Sequence, residues 1–90
     1  MVYLILDRGS MNKVKIGWSK NPHNRIRQLQ TGHPNKLELI AQWNVPRYYE
    51  KRIHRALFLK KTNTLREWFS CSDIEKLIEV ITTIVHSKPL

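Results

Sequence analysis

One acidic side chain in the basic part of this 90-residue chain has neighbours that could support chemistry on phosphate. Glu50 is followed four residues later by His54, so the two would share one face of a helix. A lone carboxylate among cations can hold a hard divalent ion such as Mg²⁺, which often uses only one or two protein carboxylates and completes its shell with water and phosphate oxygens. The competing interpretation is a solvated Glu in surface ion pairs of small energetic value. The cations around Glu50 are Arg47, Lys51, Arg52 and Arg55.

The charge of the chain favours a polyanionic partner. Sixteen Lys and Arg against seven Asp and Glu give a net charge of +9. Fourteen of those cations but only three of the acids lie in residues 1–66. Such a surface concentrates nucleic acid and releases its counterions on binding. We expect a nucleic-acid partner, DNA ahead of RNA, and the alternative is a basic protein whose charge serves solubility alone.

Length and composition exclude several classes of protein. A chain of 90 residues is too short for a doubly wound dinucleotide fold or a barrel. The single Cys71 excludes an intramolecular disulfide, and His23 and His33 lack the cysteine partners and spacing of a zinc site. Apolar runs stay short of the roughly 18 residues that cross a bilayer. We expect a soluble, cytoplasmic protein without membrane contact, with one domain over residues 1–86 and a loose tail over residues 87–90.

The elements that position these residues are indicated by hydrophobic period and by caps. Asn21-Pro22 predicts a helix entry, Gly32 the end of that helix, and Ser72-Asp73-Ile74-Glu75 a capping box. The order β-β-α-β-α-α predicts an α+β fold, a small three-stranded antiparallel sheet flanked by helices. The predicted strands are 2–6, 14–18 and 37–45, and the predicted helices begin at residues 21, 47 and 72, the second reaching about Lys60.

Most large apolar residues are assigned to the core. Trp18 and Trp43 could stack on bases, but in so short a chain packing is the favoured interpretation. The same holds for the Glu67-Trp68-Phe69 block. Inward-facing positions are predicted at Ile26 and Leu29 of the first helix and, on one face of the third strand, at Leu37, Leu39, Ala41 and Trp43.

Sequence blocks in a fixed order resemble the GIY-YIG nuclease family. Val2-Tyr3-Leu4 resembles its first motif and Lys15-Ile16-Gly17 its second, and Arg25 and Glu50 follow at matching positions. The likeness covers most of the chain and is strongest to the small branch common in phages and bacteria. The blocks similar to that branch are KIGWS at 15–19, NRIRQL at 24–29, EKRIH at 50–54 and EWF at 67–69.

The resemblance implies a role for each matching residue. Tyr3 matches the first-motif tyrosine that lines the active site, Arg25 the catalytic arginine and Glu50 the metal-binding glutamate. Gly17 matches the second-motif glycine, where a missing side chain lets substrate or backbone approach closely. Lys15 departs from the pattern because it stands where the second motif has a tyrosine. Its amine could act as a base or a phosphate contact, or its presence could mark a domain that binds nucleic acid and no longer cuts it.

The resulting hypothesis is an endonuclease that hydrolyses phosphodiester bonds of DNA with Mg²⁺, for which Mn²⁺ could substitute. The predicted catalytic residues are Tyr3, Lys15, Arg25, Glu50 and His54, with Glu50 as the metal ligand. The alternatives are a catalytically inactive nucleic-acid-binding module and a domain that docks on an acidic protein. Sequence specificity would have to come from a homodimer or a larger complex. The predicted contacts to the nucleic-acid backbone are Lys20, Arg27, Arg47, Arg52 and Arg55.

Overall fold

The computed structural model describes residues 1–10, 12–57 and 68–87 and shows an α+β fold with helices on both faces of one antiparallel sheet. The predicted fold class, the three predicted strands and the three predicted helices are confirmed. The sheet also contains a short fourth strand, so the order along the chain is β-β-α-β-α-β-α. The elements are β1 (Val2–Asp7), a 3₁₀ turn (Arg8–Ser10), β2 (Lys13–Trp18), α1 (Pro22–Gln30), β3 (Leu37–Trp43), α2 (Tyr48–Ala56), β4 (Trp68–Ser70) and α3 (Ile74–His86).

The strand β1 lies inside the sheet, whose order is β3-β1-β2-β4. All of β1 is buried because its run of apolar side chains meets helices on both faces. On β2, Ile16 lies opposite Leu4 of β1, and Lys15 lies opposite Trp68 of β4. The packing block predicted at residues 67–69 therefore contributes an edge strand, and Glu67 itself lies outside the described residues. Three strand residues are too few for an alternating pattern to be recognised in the sequence.

A bulge in β3 divides its apolar side chains between the two faces of the sheet. The register against β1 shifts by one residue after Leu4. One extra residue in a strand moves every later side chain to the other face. Leu37 and Leu39 consequently pack on the α1 side, whereas Ala41 and Trp43 pack on the opposite side. The expectation that these four residues share one face is wrong, because alternation cannot be counted across a bulge.

Two apolar clusters hold the helices on the sheet. The larger cluster lies on one face and includes Tyr49 and Ile53 of α2 and Ile81 of α3. The smaller cluster lies on the other face, where Ile26 and Leu29 of α1 point inward as predicted. Burial of such side chains is the main favourable contribution to folding. The sheet residues of the smaller cluster are Tyr3, Ile5, Leu37, Leu39 and Trp68.

The first helix begins and ends where the sequence predicts. The Asn21 side chain accepts a hydrogen bond of 3.1 Å from the backbone N–H of Asn24, and Pro22 occupies the first helical turn. The backbone N–H of proline is missing, which costs nothing there. Gly32 has a φ of 79°, a left-handed conformation that favours glycine just after a helix.

The other two helices differ from prediction at one end each. The N-cap of α3 is Asp73, whose carboxylate accepts from the backbone N–H of Lys76 at 3.0 Å, one residue later than the predicted capping box places it. The helix α2 ends at Ala56, and residues 58–60 of the longer predicted helix lie outside the described residues. None of the described helices is both long enough and apolar enough to cross a bilayer.

Candidate functional site

Tyr3 and Gly17 face each other across β1 and β2 and pack directly together. A Cβ atom added to Gly17 would overlap the phenol ring and oxygen of Tyr3. Tyr3 is only 2% exposed. The glycine therefore makes room for the tyrosine ring of the neighbouring strand, whereas the sequence suggested close approach of substrate or backbone.

Lys15 lies on the same face of the sheet as Tyr3 and is 7% exposed. It stands opposite Ile5, so its backbone is a diagonal neighbour of Tyr3, on the order of 7–8 Å away. Its Nζ is 5.9 Å from the centre of the Trp68 ring. At this distance the face of an indole attracts a cation. The structure thus places Tyr3, Lys15 and Gly17 together and adds Trp68 of β4 beside the lysine.

A polar network continues this group along the sheet. The buried carboxylate of Asp7 accepts hydrogen bonds from His33 Nε2 at 2.7 Å and from the backbone N–H of Gly9 at 3.0 Å. The His33 ring stacks on the Trp68 ring with 5.6 Å between centres. Sequence reasoning missed this network. The signal available in the sequence was Asp7, an acidic residue directly after the predicted strand 2–6. Its partners could not be predicted because they lie in a loop whose path the sequence does not specify.

Glu50 and His54 lie on α2 in the predicted i, i+4 relation. Glu50 Oε2 is 3.9 Å from His54 Nε2, and both side chains are 31% exposed. His54 Nε2 also lies 3.0 Å from the backbone oxygen of Ile16. A carbonyl oxygen only accepts, so this nitrogen carries the proton and donates it. His54 therefore anchors α2 to β2 and keeps its imidazole beside the Glu50 carboxylate.

The contact with Ile16 connects the two halves of the candidate site. Tyr3, Lys15 and Gly17 belong to the face of the sheet that α1 covers, whereas α2 packs on the opposite face. Ile16 lies between Lys15 and Gly17 in β2, so His54 holds the helix of Glu50 against the strand that carries the second motif.

Arg25 lies in the other helical layer. Its helix, α1, packs on the face that carries Tyr3. The Arg25 side chain is half-buried, and its Nη1 donates to Gln28 Oε1 at 3.3 Å. No ion pair joins Arg25 to Glu50 among the described residues. The structure thus assigns the two residues to opposite layers of the fold.

The predicted backbone contacts fall into two groups. Lys20, Arg27, Arg47 and Arg55 are exposed, as a contact to nucleic acid requires. Arg52 is half-buried, and its guanidinium carbon lies 5.5 Å from the centre of the Tyr49 ring. Its Nη1 is buried and has no hydrogen-bond partner among the described residues.

Both tryptophans considered for base stacking serve in packing. Trp18 Nε1 donates to the backbone oxygen of Val45 at 2.8 Å, and the guanidinium carbon of Arg47 lies 4.9 Å from the centre of the Trp18 ring. Trp43 Nε1 donates to Thr82 Oγ1 at 3.1 Å. Each indole is partly buried against the larger cluster. Their hydrogen bonds and burial fit the expected role in the core.

The side chains around Glu50 fit a metal ion that is bound by a single protein carboxylate. Within the ranges that the structure describes, no group of three or more His, Cys, Asp or Glu side chains could form a protein cage for a metal. Glu50 offers one partly exposed carboxylate, and Mg²⁺ commonly binds through one or two carboxylates, with water and substrate oxygens as its other ligands. His54 Nε2 is already bonded to the Ile16 carbonyl and is not free to bind a metal, so the Glu50 carboxylate is the candidate ligand.

The single cysteine packs against the larger apolar cluster. Cys71 is half-buried, and burial raises the pKa of its thiol above the ordinary value. The backbone hydrogen bond at Asp73 opposes this shift. A thiol with a raised pKa holds less of the reactive thiolate form at neutral pH. Cys71 is therefore a poor nucleophile at neutral pH.

Comparison with models of protein families gives a match over nearly the whole chain. The profile of the T5orf172 domain matches residues 1–85 of the chain. This is a phage-associated domain linked to endonuclease-type modules. Neither the comparison with curated proteins nor the comparison with solved structures gives a match.

Proposed function

The chain belongs to the T5orf172 domain family, and we propose that it is a metal-dependent endonuclease of the GIY-YIG type that hydrolyses phosphodiester bonds in DNA. The observation that carries the proposal is the anchoring of α2. His54, bonded to Ile16, holds Glu50 beside the strand on which Lys15 and Gly17 lie. The net charge of +9 supports a polyanionic substrate.

Glu50 is the residue proposed to hold the divalent metal, Mg²⁺ or Mn²⁺. When bound, such an ion supplies Lewis-acid stabilisation and a template at the scissile phosphate. His54 anchors the helix that carries Glu50, and its Nε2 lies 3.9 Å from Glu50 Oε2, beyond hydrogen-bonding distance. His54 is therefore proposed as a positioning residue, because its Nε2 proton is committed to the Ile16 carbonyl.

The remaining proposed catalytic residues act on phosphate and water. Arg25 would neutralise the negative charge that develops on the phosphate in the transition state. Lys15, close to Trp68, would contact a phosphate oxygen. Tyr3 would orient or deprotonate the attacking water with the help of Lys15. Exposed arginines and lysines would bind the DNA backbone and set its position without reading its sequence.

The decisive experiment compares the wild-type protein with Glu50→Ala on supercoiled plasmid and on single-stranded DNA. We expect metal-dependent nicking by the wild type, inhibition by EDTA, and loss of nicking in the variant, because its metal ligand is gone. DNA binding should stay equal or become slightly tighter, since a negative charge is removed. Titration of the two proteins with Mn²⁺ by calorimetry should show that the variant loses its metal site.

Glu79→Ala is the matched control because it also removes one acidic side chain from a helix, in this case the exposed Glu79 of α3. It should nick DNA at the wild-type rate. Nicking by Glu50→Ala at that same rate would show the metal assignment to be wrong.

A second candidate function is a nucleic-acid-binding module without catalysis. The specific observation in its favour is the burial of Tyr3 and Lys15, which limits access of a substrate to both groups. This candidate predicts salt-dependent DNA binding without metal-dependent products. A complete lack of nucleic-acid affinity at physiological salt would instead favour a domain that docks on an acidic protein.

A further inference from the structure

Tyr48 presents an aromatic ring to solvent on a basic helix. It is 58% exposed and is the only large hydrophobic side chain exposed in the described part of the chain. It lies in the first turn of α2, two residues before Glu50. Neither core packing nor the proposed chemistry at Glu50 accounts for it.

The other described aromatic rings are engaged within the fold. Tyr3 and Tyr49 are buried. Trp18 and Trp43 are partly buried and donate hydrogen bonds through their indole N–H groups. Trp68 lies against His33 and close to Lys15. Among these rings, Tyr48 is the one with a large free face.

The exposed ring of Tyr48 has a firm support beneath it. Its ring lies 4.9 Å from the ring of Tyr49, with 29° between the planes. Tyr49 is buried in the larger cluster and also lies 5.5 Å from the guanidinium carbon of Arg52. A ring backed in this way loses little further freedom when a flat ligand stacks on it.

The charges around Tyr48 define what kind of flat ligand fits. With about 100° of rotation per helical residue, the side chains of Glu50 and Tyr48 project on opposite flanks of α2. Arg47, Lys51 and Arg55 project between those flanks and are all exposed. A nucleic-acid strand that crosses these three basic side chains can place a phosphate near Glu50 and a base on Tyr48.

We infer that Tyr48 is a stacking platform for an unpaired nucleobase, so that the preferred substrate is DNA with a single-stranded segment. Aromatic rings beside cations are the usual means of binding single strands, because every base has a face that can stack. A paired base inside a duplex does not offer its face to a side chain. The inference rests on the proposed function in that it takes nucleic acid as the ligand.

The test measures binding of a single-stranded oligonucleotide carrying 2-aminopurine and of a matched duplex, in EDTA so that no cleavage occurs. Tyr48→Ala should weaken single-strand binding roughly tenfold and abolish the change in 2-aminopurine fluorescence. Tyr48→Phe keeps the ring and should bind within about twofold of the wild type. Duplex affinity should stay unchanged, and so should the dependence of affinity on salt, since no charge is removed.

Tyr48→Leu keeps a large apolar side chain but removes the aromatic ring, so it distinguishes stacking from simple apolar contact. It should weaken single-strand binding as much as Tyr48→Ala does. Thermal unfolding of each variant checks that the fold is retained. Full single-strand binding by Tyr48→Ala, or equal losses for single strand and duplex, would overturn the inference while leaving the proposed nuclease intact. Failure of the wild type to bind any DNA would overturn both.

Discussion

At the scale of single residues, each half of the candidate site depends on a specific contact. The phenol of Tyr3 occupies the space above Gly17, and His54 reaches the Ile16 carbonyl. Both contacts involve β2, so a small change in that strand would disturb groups from two layers of the fold. The proposed chemistry therefore depends on close packing in β2 as much as on reactive side chains.

Gly17→Ala tests the contact with Tyr3. The added Cβ would overlap the tyrosine ring, so one of the two strands or the ring must shift. Overpacking of this kind typically destabilises a protein by about 1–3 kcal/mol. Denaturant unfolding followed by circular dichroism should show a lower midpoint with an unchanged slope.

The control is a double-mutant cycle with Tyr3→Leu, whose smaller side chain leaves room for the new methyl group. The two changes should be strongly non-additive, with the double variant more stable than the sum of the single effects predicts. Additive effects would mean that Gly17 is required for a reason other than the tyrosine ring.

At the scale of elements, Asp7 ties the loop between α1 and β3 to the end of β1. Its carboxylate accepts from His33 Nε2 and from Asn35 Nδ2, both in that loop. The loop in turn supplies the imidazole that stacks on Trp68 of β4. One buried carboxylate thus links three strands at the end of the sheet near Lys15.

Asp7→Ala should increase the mobility of the loop between α1 and β3. The partly buried donors of His33 and Asn35 would lose their acceptor, and a fully buried unsatisfied group costs about 1–3 kcal/mol. Hydrogen exchange should show faster exchange of amides 31–36, together with a lower unfolding midpoint. The control is Arg8→Ala at the neighbouring exposed position. Arg8 pairs with Glu38 at the surface, so its loss should change the free energy of unfolding by less than about 1 kcal/mol. Unchanged exchange in Asp7→Ala would show that the loop is held by other contacts.

The sequence was sufficient for features that local chemistry determines. The entry of α1 at Asn21-Pro22 and the i, i+4 pair of Glu50 and His54 are of this kind, since each depends on neighbours along the chain. The bulge in β3, the strand at Trp68 and the Asp7–His33 contact depend on pairings across the sheet. Such pairings depend on the path of distant segments, which periodicity along one segment does not specify.

At the scale of the whole molecule, charge is divided unevenly among the three helices. Of the predicted backbone contacts, Arg27 lies on α1, and Arg52 and Arg55 lie on α2. Residues 67–90, in contrast, contain four acids and two bases. α3 shares a layer with α2, and its exposed Glu75 and Glu79 would repel a polyanion. A bound nucleic acid should therefore follow α1 and the exposed side of α2 and avoid α3.

Arg55→Ala tests this path because Arg55 is exposed on α2 and makes no ion pair among the described residues. Loss of one phosphate contact should weaken binding to all DNA sequences alike and lower the slope of log affinity against log salt by about 1.

The control is Lys76→Ala, which removes one positive charge from the exposed side of α3. Lys76 already pairs with Glu79 at 3.2 Å, so this variant should leave the slope unchanged. Arg52→Ala is less suitable, since its guanidinium lies over Tyr49 and its loss would also affect packing. Equal slopes for Arg55→Ala and wild type, or a lower slope for Lys76→Ala, would place the nucleic acid on a different face. Anisotropy titrations over a range of salt concentrations, with EDTA present, distinguish these outcomes without relying on cleavage.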